Sequence, residues 1–198
     1  MKKFFVLIAA AIVSMSAMAQ VQFGAKVGVD MTNFWGKDAE HGMKPSYQAG
    51  LVMEYKFNPH FAIAPEVVFA SQGGKFKAIE MNLIDGLDVS KKVTFNTNYI
   101  NVPVMLKYYV SPAFSLDFGP QVGFNVYSKM SIEDVDKAYD LKDSTKGVDF
   151  GLGLGGTYNL TENAFVQARY TLGMTKVFEG EYNKEKNGNI QLAFGMKF

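Results

Sequence analysis

The sequence lacks several residue types on which catalytic sites and cross-links are often built. It contains no cysteine, one tryptophan, one arginine and two histidines among its 198 residues. The absence of cysteine excludes disulfide bonds, thiolate nucleophiles and zinc sites built on thiolates. The 20 basic and 19 acidic residues nearly cancel, so no basic face for nucleic acid is predicted.

Long apolar runs are also missing, except for residues 4–13 near the N-terminus. Two lysines precede this run and the small residues of segment 16–19 follow it, which is the pattern of a cleaved signal peptide. A run of about ten residues is too short to cross a bilayer as a helix. We therefore predict a signal peptide over residues 1–19 and one domain over residues 20–198.

The sequence is rich in strict alternation of apolar and polar residues. Its last nine residues place Ile190, Leu192, Phe194, Met196 and Phe198 on one face of a strand. A strand in a soluble core alternates in the same way, but this pattern recurs in roughly eight segments, as in a barrel whose apolar face lies in lipid. We predict an all-β fold, an eight-stranded antiparallel transmembrane β-barrel.

The predicted connections between these strands alternate in length. Three are turns of about three residues, at 58–60, 111–113 and 161–163. Four are long, around residues 32–46, 71–92, 129–146 and 175–189. Barrels of the bacterial outer membrane have short periplasmic turns and long extracellular loops, so we predict that location, with both ends of the barrel domain in the periplasm.

The short turns also predict which residues lie opposite each other, because partners across a hairpin point to the same side of a sheet. The predicted outward pairs are Phe57 with Phe61, Val110 with Phe114, and Leu160 with Ala164. Proline lacks the N–H group that a strand ladder uses. We therefore expect a bulge or a local break at Pro65, Pro103 and Pro120.

Charged residues occupy inward positions of the predicted barrel, five of each sign. They form a predicted lumen charge network: Lys26, Asp30, Glu54, Lys56, Glu66, Lys107, Asp117, Asp149, Arg169 and Lys197. An unpaired buried ion is costly, and an eight-stranded barrel is only wide enough for its own side chains. We therefore predict a packed polar plug, with a path for protons or ions as the alternative.

Two contacts inside this network follow from the predicted register. Lys107 lies opposite Asp117 and is predicted to form an ion pair with it. Arg169 lies opposite Gly155, where its guanidinium is predicted to fill the space beside the glycines and to bridge more than one carboxylate. The candidate carboxylates are those of Glu54, Glu66, Asp117 and Asp149.

Three features that indicate chemistry in other proteins carry little weight here. Residues 151–156 match G-x-G-x-x-G, but a strand follows where a dinucleotide fingerprint needs a helix. The acidic segment 133–143 has interleaved lysines and no EF-hand spacing. His41 is a candidate for a lipid-modifying enzyme at the barrel rim, but no nucleophile accompanies it. We expect no catalytic residue, metal or cofactor.

Three stretches, residues 23–28, 99–109 and 149–170, resemble the PorT-type outer-membrane β-barrel proteins of Bacteroidetes, within the wider OmpA/OmpX-like eight-stranded class. A Pro-x-x-x-Lys-Tyr stretch of that family matches Pro103, Lys107 and Tyr108, and its Ala-Arg-Tyr stretch matches residues 168–170. The resemblance implies the barrel fold and the outer membrane. It implies no catalytic positions, and some relatives are linked to a secretion system.

The expected function is a structural or interaction role, in adhesion or assembly, through the extracellular loops. The alternatives are a narrow pore for small solutes, a component of a protein secretion system and, less favoured, the rim enzyme. Expected partners are outer-membrane lipid, an extracellular or cell-surface partner and the barrel assembly machinery. Phe194 and Phe198 are the predicted assembly signal at the end of the last strand. We expect a monomer.

Overall fold

The computed structural model describes residues 20–35, 41–80, 90–132, 138–140, 147–176 and 186–198. The predicted signal peptide, residues 1–19, lies outside them. The described residues form these strands: β1 (Val21–Trp35), β2 (His41–Gly42), β3 (Lys44–Lys56), β4 (Phe61–Glu80), β5 (Ser90–Ser111), β6 (Phe114–Ile132), β7 (Ala138–Asp140), β8 (Val148–Asn159), β9 (Ala164–Lys176) and β10 (Lys186–Lys197). No helix within the described ranges is long and apolar enough to cross a membrane.

Eight of these strands close into one antiparallel barrel, which confirms the predicted fold. Around the barrel the order is β1, β3, β4, β5, β6, β8, β9 and β10, and β10 pairs with β1. In that closing pair Phe194 lies opposite Val27, and the Phe198 N–H donates to the Phe23 carbonyl at 2.8 Å. The two short strands extend neighbours, β2 along β4 and β7 along β6. Closure leaves no free edge around the barrel wall.

The barrel is apolar outside and polar inside. Val29 is 64% exposed, whereas Asp30, the next residue of β1, is 1% exposed. The same contrast separates Leu154 from Gly153 and Tyr170 from Arg169. An apolar outer wall with every backbone group paired is what a lipid bilayer requires of a strand protein. The core of this protein is therefore its polar lumen.

All three predicted short turns lie at one end of the barrel, called here the turn end. Each turn contains a side chain that accepts a hydrogen bond from the first N–H of the next strand. Asn58 Oδ1 accepts from Phe61 at 2.9 Å, Ser111 Oγ from Phe114 at 3.1 Å, and Thr161 Oγ1 from Ala164 at 2.9 Å. Such side chains satisfy backbone donors that a tight turn would otherwise leave free. The opposite end is called the loop end.

The hairpin register is as predicted in two of the three cases. Backbone N–H groups of Phe57 and Leu160 donate to the carbonyls of Phe61 and Ala164 at 2.9 and 2.8 Å. In the third hairpin Phe114 pairs with Ser111, and the predicted pair with Val110 is wrong. The register shift responsible is confined to the turn.

The prolines do not shift the register, so of the two expected outcomes, a bulge or a local break, the structure shows the local break, at Pro65 and Pro103. Pro65 lies opposite Val104, Pro103 opposite Gln121 and Pro120 opposite Leu152, in the same register as the pairs on either side. The ladder is interrupted only locally, between Pro65 and Val68 and between Pro103 and Leu106. A missing N–H removes one hydrogen bond, while the flanking pairs hold the strands in place. Inward and outward positions therefore continue unchanged past each proline.

Among the described residues, three neighbouring strands extend further than the others at the loop end. β4, β5 and β6 have 20, 22 and 19 residues, whereas β8, β9 and β10 have 12, 13 and 12. Residues 71–80 and 90–92 of segment 71–92, predicted as a loop, lie in β4 and β5, with Ser71 opposite Asn98 and Glu80 opposite Ser90. The alternation of apolar residues ends where the strands leave the apolar band, but backbone pairing continues without it.

Candidate functional site

The candidate site is the lumen, where strands distant in sequence place charged side chains face to face. Lys26, Asp30, Glu54, Glu66, Lys107, Asp117, Arg169 and Lys197 are buried there. Asp149 is part-buried, and the Lys56 side chain, 43% exposed, lies at the mouth of the turn end. The ten predicted positions thus lie in or at the lumen, but they do not form one network.

The first group, called the Glu66 cluster, lies in the middle of the lumen and contains Lys26, Glu66 and Arg169. Lys26 Nζ is 2.6 Å from Glu66 Oε2. The Arg169 guanidinium donates from Nη1 to Oε2 at 3.0 Å and from Nη2 to Oε1 at 2.7 Å. This two-pronged geometry is the strongest that arginine offers a carboxylate. Because all three side chains are at most 2% exposed, solvent screens this cluster little.

Arg169 lies opposite Gly155 as predicted, but it hydrogen-bonds to one carboxylate and does not bridge several. Both prongs go to Glu66, so the predicted bridging is wrong. The glycines make room for its stem: a Cβ atom on Gly153 would lie 3.4 Å from Arg169 Cδ and 3.2 Å from Met105 Cε. The methionine therefore shares the space that the arginine was predicted to fill alone.

The second group, called the Glu54 cluster, lies nearer the turn end. Lys107 and Lys197 both reach Glu54 Oε2, at 3.0 and 3.3 Å. The other oxygen, Oε1, accepts a hydrogen bond from the Tyr109 hydroxyl at 2.5 Å and has Lys56 Nζ at 3.9 Å. One carboxylate thus collects three lysines from three strands.

Asp117 lies opposite Lys107, as predicted, but the predicted ion pair is wrong. Lys107 instead crosses to Glu54 on β3. Asp117 Oδ1 accepts from Ser115 at 2.7 Å, and Oδ2 accepts from Thr157 and from Gln167 Nε2, the latter at 3.4 Å. In a narrow lumen a long side chain reaches a strand beyond its neighbour, so register alone does not decide its partner.

The third group, Asp30 and Asp149, lies toward the loop end. Neither carboxylate forms an ion pair with a described residue. Asp30 Oδ1 accepts from Gln48 Nε2 at 2.8 Å, and Asp149 Oδ2 accepts from Asn187 Nδ2 at 2.8 Å. Their other oxygens, Asp30 Oδ2 and Asp149 Oδ1, have no hydrogen-bond partner in the protein. Buried polar atoms of this kind need water.

Space between the two ion clusters is small. A cavity of about 20 Å³ lies among Glu54, Glu66, Lys107, Gln167 and Lys197. That volume holds about one water molecule. The lumen is therefore filled by side chains at this level.

Several partners in the lumen were missed because only charged residues were considered in the sequence. Gln167 accepts from Lys26 Nζ at 2.8 Å and donates to Thr157 and Asp117, so it joins the Glu66 cluster to Asp117. Tyr109 binds Glu54. Gln167 is two positions from Arg169 in β9, and Tyr109 is two positions from Lys107 in β5, so both lie on the inward face of their strands. Counting neutral polar residues at the same parity would have found them.

No chemistry beyond ion pairing and hydrogen bonding is visible in the described part of the chain. It contains no group of three or more His, Cys, Asp or Glu residues that could hold a metal. Residues 151–156 are strand and pair with β9. His60 lies in a turn, and its Nδ1 is 3.4 Å from the Tyr109 carbonyl. The His41 side chain and the segments 133–137 and 141–146 lie outside the description.

Comparison with known proteins adds a family and a set of related folds. The family described as outer membrane protein beta-barrel domain matches residues 14–179. No curated protein matches the chain.

Among solved structures, Neisserial surface protein A has a TM-score of 0.56 at 14% identity, covering 89% of this chain and 97% of its own. Ail, the attachment invasion locus protein of Yersinia pestis, has a TM-score of 0.51 at 16% identity, covering 90% of this chain and 99% of its own. A second structure of Ail, in complex with the heparin analogue sucrose octasulfate, has the same TM-score at 15% identity and covers 90% and 99%. At these identities the likeness concerns the fold alone.

Proposed function

The chain belongs to the family of outer membrane protein β-barrel domains and is a protein of the bacterial outer membrane. From this premise we propose that it is a closed barrel with an adhesion role at the cell surface. In such barrels the short turns face the periplasm and the long loops face outward. The turn end is then periplasmic and the loop end is extracellular.

The observation that carries this proposal is the filled lumen. Glu66 is bound by Lys26 and by both prongs of Arg169, and the cavity beside this cluster holds about one water molecule. A barrel closed in this way supports its loops and does not conduct. Solute passage through a narrow pore is the alternative, and a steady conductance of the purified protein in a planar bilayer would establish it.

We place the contact with a partner at the part of the loop end that is formed by β4, β5 and β6. β4, β5 and β6 have 20, 22 and 19 residues, against 12, 13 and 12 for β8, β9 and β10, so among the described residues they reach furthest at the loop end. One fold relative, Ail, is described as an attachment protein and has been solved with a heparin analogue. This supports the class of role and assigns no residue here.

Adherence of whole cells tests the proposal. Residues 81–89, which join β4 to β5, would be replaced by a Gly/Ser linker of equal length; the matched control replaces residues 177–185, which join β9 to β10 and are also nine residues long. Cells expressing each variant are applied to heparin-coated and uncoated surfaces. We expect loss of adherence with the first replacement only. Equal adherence of wild-type cells and cells lacking the protein would overturn the role.

We also propose that the chain belongs to the PorT-type branch of these barrels and has no enzymatic activity. The branch rests on the matches at Pro103, Lys107, Tyr108 and residues 168–170. Comparison of secreted proteins between a deletion strain and its parent tests the secretion role, and lipid analysis of the same strains tests the rim enzyme. The proposed monomer is checked by light scattering in detergent.

The end of β10 is proposed as the signal that the assembly machinery reads. Phe198 is 73% exposed and Phe194 46% exposed, both on the outer face, where a second protein can contact them. Deleting Phe198 should lower the yield of inserted, heat-modifiable protein, and Phe198→Tyr should restore it. Mass spectrometry of the same samples tests cleavage after Ala19.

A further inference from the structure

A cavity of about 390 Å³ opens at the turn end of the barrel, next to the Glu54 cluster. Thr161 and Glu162 on its rim are exposed, so it is open to solvent. Its polar lining comprises Gln22, Lys56, Asn159, Thr161, Glu162 and Lys197. Neither closure of the lumen nor contact at the loop end uses this cavity.

The side chains that line the cavity carry an excess of positive charge. Glu54 is the carboxylate that Lys56, Lys107 and Lys197 share within 4.0 Å, and both of its oxygens are already engaged. Glu162 lines the rim but forms no ion pair within 4.0 Å with any described residue. The residues that line the cavity carry two positive charges, on Lys56 and Lys197, and one negative charge, on Glu162. A positive excess at the mouth of a low-dielectric lumen attracts anions.

Hydrogen-bond donors around the cavity are only partly used. Lys56 Nζ is 3.9 Å from Glu54 Oε1 and lies 5.0 Å from the centre of the Tyr109 ring, with its side chain 43% exposed. An ammonium has three donors, so Lys56 can offer a donor to the cavity. The amide of Asn159 donates to the Pro112 carbonyl at a long 3.4 Å, and Gln22 adds a second amide to the lining.

We propose that this cavity binds a small oxyanion, a phosphate or carboxylate group, entering from the periplasm. Lys56 and Lys197 are its charged donors, and the amides of Gln22 and Asn159 are its neutral donors. The geometry that sets this site apart is an open cavity lined by Lys56 and Lys197, two of the three lysines that share the Glu54 carboxylate. A soluble anion and a phospholipid headgroup offer the same chemistry.

Titration with inorganic phosphate tests the site. The purified barrel in neutral maltoside micelles is titrated at constant ionic strength, with chloride as the balancing anion, while NMR follows the backbone amides of Gln22 and Asn159. We expect saturable shifts in the wild type. Lys56→Gln should weaken binding about tenfold, the effect of one charge-assisted hydrogen bond, and Lys56→Arg should retain it.

Lys129→Gln is the matched control. Lys129 also lies over a tyrosine ring, with Nζ 4.8 Å from the centre of Tyr127, but on β6 toward the loop end. It should leave phosphate binding unchanged. Equal weakening by both substitutions, or shifts that never saturate, would show general charge screening and would overturn the site.

Nanodiscs separate the two sources of the anion. In discs of phosphatidylcholine, whose headgroup has no net charge, shifts that require added phosphate indicate a soluble ligand. Shifts produced by anionic phosphatidylglycerol without added phosphate indicate a lipid headgroup. Either result must be lost in Lys56→Gln for the proposal to stand. No Lys56-dependent shift in either disc would contradict it. Conductance and adherence are not expected to change in this variant, so the two proposals fail independently.

Discussion

The two halves of the lumen satisfy their buried carboxylates in different ways. In the half toward the turn end, both oxygens of Glu54, Glu66 and Asp117 have donors in the protein. In the half toward the loop end, Asp30 and Asp149 each have one oxygen without a protein donor. The half in which the protein supplies every carboxylate donor closes the barrel, whereas the carboxylates of the other half depend on water for their remaining hydrogen bonds.

Other buried atoms follow the same division, with few exceptions. Side-chain atoms without a protein partner toward the loop end belong to Asn33, Thr97, Thr171 and Asn189, besides the two aspartates. Toward the turn end they are Asn159 Oδ1 and Arg169 Nε. Charge is therefore concentrated where the lumen is packed, and neutral polar groups line the part that opens toward the loops. Changes of equal chemistry in the two halves should have unequal effects.

The largest effect is expected for Glu66→Gln. It leaves Lys26 and Arg169 buried side by side without a carboxylate, which should lower the free energy of unfolding by about 3 to 5 kcal/mol. The matched change in the other half, Asp30→Asn, should cost less than about 1 kcal/mol, because Asp30 is held by one neutral donor. Urea unfolding in lipid vesicles measures both. Equal losses would abolish the distinction between the halves.

Arg169→Ala should follow, with a loss of about 3 kcal/mol because Lys26 still pairs with Glu66. It should also open the middle of the lumen, since the arginine stem fills the space beside Gly153. Planar bilayer recordings should show a leak that the wild type lacks. Arg169→Lys is the control and should keep the lumen closed. A wild type that conducts as well as the alanine variant would refute the plug.

A smaller effect separates the real partner of Lys107 from the one predicted by register. Double-mutant cycles combine Lys107→Met with Glu54→Gln or with Asp117→Asn. Coupling to Glu54, at 3.0 Å, should be about 1 to 3 kcal/mol, and coupling to Asp117 below about 0.5 kcal/mol. Stronger coupling of Lys107 to Asp117 than to Glu54 would instead support the predicted cross-strand ion pair.

The smallest effect concerns water and needs no substitution. The side-chain amide of Asn189, with no protein partner, should exchange protons with water faster than that of Gln167, which is bound to Thr157 and Asp117. Both side chains are at most 5% exposed, so surface accessibility does not explain a difference. NMR magnetisation transfer from water measures the two rates. Similar rates would mean that the halves are equally hydrated.

Local regularities in the sequence were enough to predict the barrel. Alternation predicted which face of each strand is apolar, and turn length predicted the register that places Lys107 opposite Asp117 and Arg169 opposite Gly155. The strands were predicted to end too early at the loop end, because residues that pair beyond the apolar band show no apolar alternation in the sequence. Of the bulge or local break expected at the prolines, only the local break occurs, because the neighbouring pairs outweigh one missing hydrogen bond.

The sequence by itself determined which residues face the lumen and which strands are neighbours, because both follow from a period of two and from short turns. Only the tertiary structure decided which charges meet. Glu66 on β4 binds Arg169, 103 positions away on β9, and Lys26, 40 positions away on β1. These strands come face to face only when β10 closes on β1. The long side chains of Lys26 and Arg169 then reach across the lumen to the carboxylate of Glu66.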